Sequence, residues 1–233
     1  MNKLITLLLL LSTQTMAQKL IIEEKLRFLA LGDSYTVGES VPVNARWPVQ
    51  LIDSLNKLGV DGYEPIIIAT TGWRTDHLAH AISKAKLKGE FNLVSLLIGV
   101  NNLYQGKTAE SYAPEFEALL QTAIKLAGGN KSHVFVLSIP DYGFTPFGKE
   151  KQEQISKGID AFNAVNKSIA ERHQIKYYNI TDISRRGLTE PELVATDGLH
   201  PSDIMYSEWV AHILSDITVA PPKEEEEDEP GDN

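Results

Sequence analysis

Asp197 and His200 stand three positions apart directly before Pro201, and far upstream Gly32-Asp33-Ser34 closes a strongly apolar run, Leu26-Arg27-Phe28-Leu29-Ala30-Leu31. A serine hydroxyl becomes a nucleophile when an imidazole takes its proton and a carboxylate holds that imidazole in the right tautomer. One turn carrying Asp and His at this spacing can supply both groups. The apolar run reads as a buried strand breaking at Gly32, so Ser34 opens the loop after a strand, where open α/β sheets bind ligands. These residue types imply serine-based acyl transfer.

Two further loops end apolar runs in the same way, Thr70-Thr71-Gly72-Trp73 and Gly99-Val100-Asn101-Asn102. In a parallel sheet, loops that follow strands share one edge, so Ser34, Gly72 and Asn101 can converge. Glycine lets a backbone N–H approach a substrate without a Cβ in the way, and Asn101 offers an uncharged NH₂ donor. Taken singly, each residue has a plainer reading. Ser34 reads equally as a helix cap, Gly72 as a turn residue, and Asp197 as the start of an Asx-turn at Gly198. Their joint order along the chain carries the argument.

The elements that must position these loops alternate strand and helix. Leu26–Leu31 is the first strand. Trp47–Leu58 carries apolar residues at helical spacing and stops at Gly59. Pro65–Ala69, with three consecutive Ile, suits a central parallel strand. Thr75–Leu87 reads as a helix with Thr75 as its cap, and Leu93–Ile98 as the third strand. Ala109–Ala127 is helical. His133–Ile139 is the fourth strand, stopped by Pro140. Lys149–His173 is a long helix interrupted near Gly158, and Ile175–Ile180 is a fifth strand. Ile204–Ile217 closes the domain as a helix capped by Ser202 or Asp203. Five such alternations imply an α/β fold, a parallel sheet with helices on both faces.

The chain of 233 residues is 42% apolar, enough for one sizeable core. A formal net charge of −9 argues against nucleic acid or anionic membrane as partner. With no Cys, a thiol nucleophile and disulfides are excluded. Lys3, the apolar stretch Leu4–Leu11 and Thr15-Met16-Ala17 form a signal-peptide pattern over 1–17, which predicts a secreted or periplasmic domain over 18–220. No later segment reaches transmembrane length. The acidic tail over 221–233 lacks the apolar residues to join a core. Asp76, His77 and His80 read as surface residues, since no third metal ligand can be placed. The chain has no Gly-x-Ser-x-Gly elbow, Walker loop or dinucleotide fingerprint.

Together, Gly32-Asp33-Ser34, Gly72, Gly99-Val100-Asn101 and Asp197-Gly198-Leu199-His200-Pro201 resemble the sequence blocks of the SGNH hydrolases, the GDSL lipases and esterases, in the family's order. The resemblance spans roughly Leu26 to Leu214. It implies a three-layer αβα sandwich around a flavodoxin-like five-stranded parallel sheet. Carried onto this sequence, it implies Ser34 as nucleophile, His200 as base and Asp197 as its partner. The Ser34 and Gly72 backbone N–H groups and the Asn101 amide would hold the oxyanion, and no cofactor or metal is implied. The substrate would be a carboxylic ester of a small molecule, polysaccharide or lipid. Lysophospholipase or thioesterase activity, and a non-catalytic carbohydrate binder of the same fold, are the alternatives. The family usually has Asp after the block-three Asn, whereas this chain has Asn102, which puts any ion pair holding that loop in doubt. Trp73, Tyr104 and Tyr142, beside the site loops, are candidate substrate-binding residues, and Phe144 and Phe147 flank Tyr142 in the segment Asp141–Gly148.

Overall fold

Strands form where apolar residues run unbroken, and the parallel sheet buries them on both faces. The computed structural model describes residues 20–22, 25–87 and 89–219. The segments read as a signal peptide (1–17) and an acidic tail (221–233) therefore lie outside the described residues. The main sheet contains β2 (Phe28–Gly32), β3 (Ile66–Ala69), β4 (Leu93–Leu97), β5 (Val134–Leu137) and β6 (Lys176–Tyr178). All pairings are parallel, in the order β3-β2-β4-β5-β6. Counted within this sheet alone the order is 2-1-3-4-5, the doubly wound arrangement expected from the sequence.

Helices cover both faces. On one side α2 (Trp47–Lys57) packs against α8 (Asp203–Leu214), and Trp47 sets its ring against Phe28 and Phe135 of the sheet. On the other, α3 (Thr75–Lys84), α5 (Ala109–Leu126) and α6 (Gln152–Arg172) pack side by side, with Tyr112 between Phe116 and Phe162. Each large aromatic ring buried this way removes roughly 150–250 Å² from water, so these contacts dominate the core. Ser202 caps α8 by accepting from the Met205 N–H at 3.2 Å. Among the described residues, no helix is long and apolar enough to cross a membrane.

Four expectations need correction. The Ile-rich strand β3 is at the edge of the sheet, and Ile66 is 43% exposed. A run of β-branched residues specifies a strand but not how many neighbours it has. Thr75 is the first residue of α3 rather than its cap, and the helix ends at Lys84. The long helix is not interrupted at Gly158. It runs through that residue, where an added Cβ would stand 2.7 Å from the Leu103 side chain, so the glycine permits close packing. After α8 the chain forms a strand, β7 (Ile217–Val219), which pairs in parallel with β1 (Leu20–Ile22) as a separate two-stranded sheet. Both strands are short, and neither had a flanking signal to separate it from its neighbours.

Asn102 explains how the third loop is held. Its side chain is fully buried in α4 (Val100–Tyr104); Oδ1 accepts from the Thr75 N–H at 3.2 Å, and Nδ2 donates to Thr75 Oγ1 at 2.7 Å. Thr75 in turn donates to Glu115 on α5, which pairs with Lys107 at 3.0 Å. An ion pair is thus present beside the loop, and its carboxylate belongs to Glu115 rather than to residue 102. Burial raises the Glu115 carboxyl, but hydrogen bonds from Thr75 and Lys107 outweigh it and hold the group below its ordinary value. Asn102→Asp would place a second carboxylate where Nδ2 now lies 3.4 Å from Glu115 Oε2. The expected cost at neutral pH is about 1–3 kcal/mol in urea unfolding. The loss should shrink at pH 5 and be recovered in large part by adding Glu115→Gln.

Candidate active site

The nucleophile candidate is set by a turn of helix at the end of β2. α1 (Ser34–Val37) begins at Ser34, and the residue that caps it is Asp33, whose Oδ1 accepts from the Tyr35 N–H at 3.1 Å. Ser34 is therefore not the cap. It is 5% exposed, and its carbonyl accepts from the N–H groups of Gly38 at 3.0 Å and Glu39 at 3.1 Å.

Asp197 and His200 lie on a loop closed by a bridge between Val194 and Pro201, with Ala195 N–H donating to the His200 carbonyl at 2.8 Å. Asp197 Oδ1 accepts the backbone N–H groups of Leu199 and His200 at 2.9 and 3.0 Å. Its Oδ2 contacts His200 Nδ1 at 2.6 Å. The Asx-turn reading and the imidazole-partner reading both hold, one for each oxygen. Oδ2 also accepts the Ser40 hydroxyl at 2.6 Å, a contact with no signal in the sequence. Burial raises the Asp197 carboxyl, yet hydrogen bonds from Ser40, His200 and the backbone outweigh it and hold the group well below the carboxylate range.

His200 is nearly buried, and its ring meets that of Tyr35 edge-on at 5.9 Å between centroids. The imidazole is thereby brought against the residue that follows Ser34. Among the described residues, Ser34 Oγ and His200 Nε2 have no hydrogen-bond partner, and no hydrogen bond joins them. With Nδ1 turned to Asp197, Nε2 is the ring nitrogen left for chemistry.

The other two loops are tied to one another and to the first. Asn101 Nδ2 donates to the Trp73 carbonyl at 3.0 Å, which leaves its second amide hydrogen available. Thr71 donates to the Glu39 carboxylate, linking the Gly72 loop to the segment after α1. Gly72 is exposed with φ +84°, and nothing lies within 4 Å of where its Cβ would be. The positive φ of this turn, rather than a close approach, is what requires glycine there.

Of the aromatic candidates, Tyr104 and Tyr142 meet at 6.3 Å and Tyr142 meets Phe147 at 6.4 Å. They line a cleft of ≈ 340 Å³ whose polar lining residues are Glu150, Lys151 and Gln154. Tyr142 also borders a small recess shared with Tyr35 and His200. Trp73 does not line this cleft; its ring packs on the core. Phe144 stands apart as well, beneath the Arg185 guanidinium. Among the described residues no cluster of three His, Asp or Glu side chains could hold a metal ion.

Asp33 is buried in the turn that presents Ser34, and Oδ2 has no hydrogen-bond partner among the described residues. Burial pushes its carboxyl up to about 7, against the pull of the Tyr35 N–H. A carboxyl raised on folding stabilises below the ordinary carboxylate range and loses that contribution as pH rises towards 7. Asp33→Asn keeps the capping acceptor and removes the titration. Urea unfolding should show the variant gaining on the wild type between pH 4 and pH 8; a constant difference would exclude the raised carboxyl.

The profile of the GDSL-like Lipase/Acylhydrolase family matches residues 30–207. An arylesterase of Vibrio mimicus is 24% identical over 189 residues, covering 81% of this chain and 86% of that protein. Among solved structures, a lipolytic G-D-S-L family protein from Veillonella parvula superposes with a TM-score of 0.64 at 18% identity, covering 82% of this chain and 97% of that one. A catalytic mutant of an acetylxylan esterase from Geobacillus stearothermophilus gives 0.68 at 16% identity, covering 88% and 99%. The structural likenesses speak for the fold, and the profile match over most of the chain speaks for descent. The chain belongs to the GDSL-like lipase/acylhydrolase family and is an ester-hydrolysing enzyme.

Proposed function

We propose that this protein hydrolyses carboxylic esters through an acyl-enzyme on Ser34. Ser34 Oγ attacks the ester carbonyl while His200 Nε2 takes its proton. Asp197 holds Nδ1–H and favours the imidazolium that forms. The oxyanion is met by the backbone N–H groups of Ser34 and Gly72 and by the Asn101 amide, where one donor is typically worth roughly 10²–10³ in rate. The imidazolium then protonates the departing alcohol. A water deprotonated by His200 attacks the acyl-enzyme, the carboxylic acid leaves, and Ser34 regains its proton. The observation that carries this reading is the 2.6 Å contact between Asp197 Oδ2 and His200 Nδ1, with the ring seated beside Ser34's neighbour. Serine–imidazole pairs are often loose without substrate, and the contact tightens when the site closes on its ligand.

For the substrate we assign the cleft of Tyr104, Tyr142 and Phe147. The exposed faces of Tyr104 and Phe147 offer planar apolar contact, and Lys151 and Gln154 offer hydrogen bonds. Short-acyl esters of sugars or aryl alcohols combine those two demands, and an arylesterase and an acetylxylan esterase are among the proteins this chain is similar to. The pattern over 1–17 supports export, with the mature chain starting near Gln18.

Ser34→Ala should lower hydrolysis of short-chain nitrophenyl esters by at least about 10³-fold at an unchanged melting temperature. Retained turnover would remove Ser34 from the mechanism. Tyr104→Ala should raise KM for acetylated oligosaccharides several-fold while leaving kcat for nitrophenyl acetate unchanged, the signature of lost uniform binding. An equal loss on both substrates would place Tyr104 outside the substrate cleft.

A further inference from the structure

We propose that Ser40 is a positioning residue for the reaction, its hydroxyl orienting and moderating the carboxylate that holds His200. The inference rests on the reading of Asp197 and His200 as the acid–base pair. Asp197 Oδ1 is held by its own turn, through the N–H groups of Leu199 and His200. Oδ2 is the oxygen that faces the imidazole, and among the described residues the Ser40 hydroxyl is the one contact reaching it from another loop. The Asp197 side chain is 31% exposed, so without such a tie water would compete for Oδ2 and the carboxylate would gain rotational freedom.

The backbone around Ser40 is built for this contact. Ser40 has φ +67°, a left-handed conformation uncommon outside glycine and costly for a residue with a Cβ. The preceding Gly38 and Glu39 hang from the carbonyl of Ser34 itself, and Glu39 accepts from Thr71 beside Gly72. One short segment thus runs from the nucleophile to the oxyanion loop through Glu39 and to the carboxylate through Ser40. A neutral donor on Oδ2 also shares the charge that faces the imidazolium. With it, proton transfer back from His200 to the leaving alcohol is easier than with a bare carboxylate.

Among the described residues, the other groups around the pair make no hydrogen bond to the Ser40 hydroxyl. His200 faces Asp197, the Tyr35 ring, and Asp141 and Tyr142 across the small recess, and Asp141 is paired with Arg185 at 3.0 Å. Tyr206 lies within electrostatic reach of Asp197, and also of Asp33, Glu39 and the Arg46 guanidinium.

Ser40→Gly tests the proposal in the full chain, because glycine adopts the same φ without strain while the hydroxyl is lost. We expect kcat on a nitrophenyl ester to fall about 5–10-fold at an unchanged KM. The melting temperature should hold or rise. The acid limb of the kcat/KM profile should move to higher pH, because the unshared carboxylate holds the imidazolium more firmly. Unchanged kcat with an unmoved limb overturns the assignment, as does a loss matched by a lower melting temperature or a limb displaced to lower pH. Ser34→Ala measured in parallel separates the two readings. If it retains turnover the mechanism itself fails, whereas an inactive Ser34→Ala beside a fully active Ser40→Gly sinks only the role of Ser40.

Discussion

The parallel register of three neighbouring strands is the constraint on which the site depends. Gly32 at the end of β2 pairs abreast of Ala69 on one side and Leu97 on the other. With strands spaced about 4.8 Å apart, three loops start from one level across roughly 10 Å. Nothing about Ser34, Gly72 or Asn101 needs a long loop to bring them together. A register slip of one residue would turn the side chains of a strand to the opposite face and displace its loop. The apolar side chains of β2 and β4, every one under 2% exposed, are what make such a slip expensive.

Three hydrogen bonds then convert nearness into geometry: Asn101 to the Trp73 carbonyl, Thr71 to Glu39, and Ser40 to Asp197. Each crosses from one loop to another. Two aspartates in this small region experience opposite environments. Asp33, buried with one oxygen left without a partner, is pushed towards neutrality. Asp197 receives the Ser40 hydroxyl, two backbone N–H groups and the imidazole, and is held firmly ionised. The difference lies in the count of donors rather than in depth alone. The carboxylate in direct contact with His200 is thus the one held ionised.

Much of this was legible in the amino-acid sequence. The strand-ending blocks identified the family, and the spacing of Asp197 and His200 implied their pairing. α2 and α8 were readable because apolar spacing and end residues such as Gly59 and Ser202 agree. What escaped notice shares a physical cause: it depends on neighbours that local patterns do not encode. The three Ile of β3 specify a strand, but whether that strand lies at the centre or the edge is decided by topology. Gly158 resembles a helix breaker until Leu103 is seen packed against it. The charge near Asn102 was not lost but carried by Glu115, thirteen residues on and a helix away. Ser40 has no motif at all, since its role comes from a left-handed φ and from a partner 157 positions distant.

In the proposed mechanism the base, His200, is positioned by a different route from the other groups. Its loop does not follow a strand of the main sheet; it leads into α8, which packs on α2. Tyr206 of α8 donates its hydroxyl to the Tyr35 carbonyl at 3.1 Å, one residue from Ser34, and the His200 ring rests on the Tyr35 ring. The position of the imidazole relative to Ser34 is therefore set by helix packing across Tyr35, whereas the loops of Gly72 and Asn101 are set by the sheet. Helix contacts adjust by fractions of an ångström more readily than a register of paired strands. In the proposed reaction the fixed part would meet the charge that develops on the carbonyl oxygen, where preorganisation matters most. The adjustable part would carry the proton, whose transfer needs a close contact only once the ester is in place.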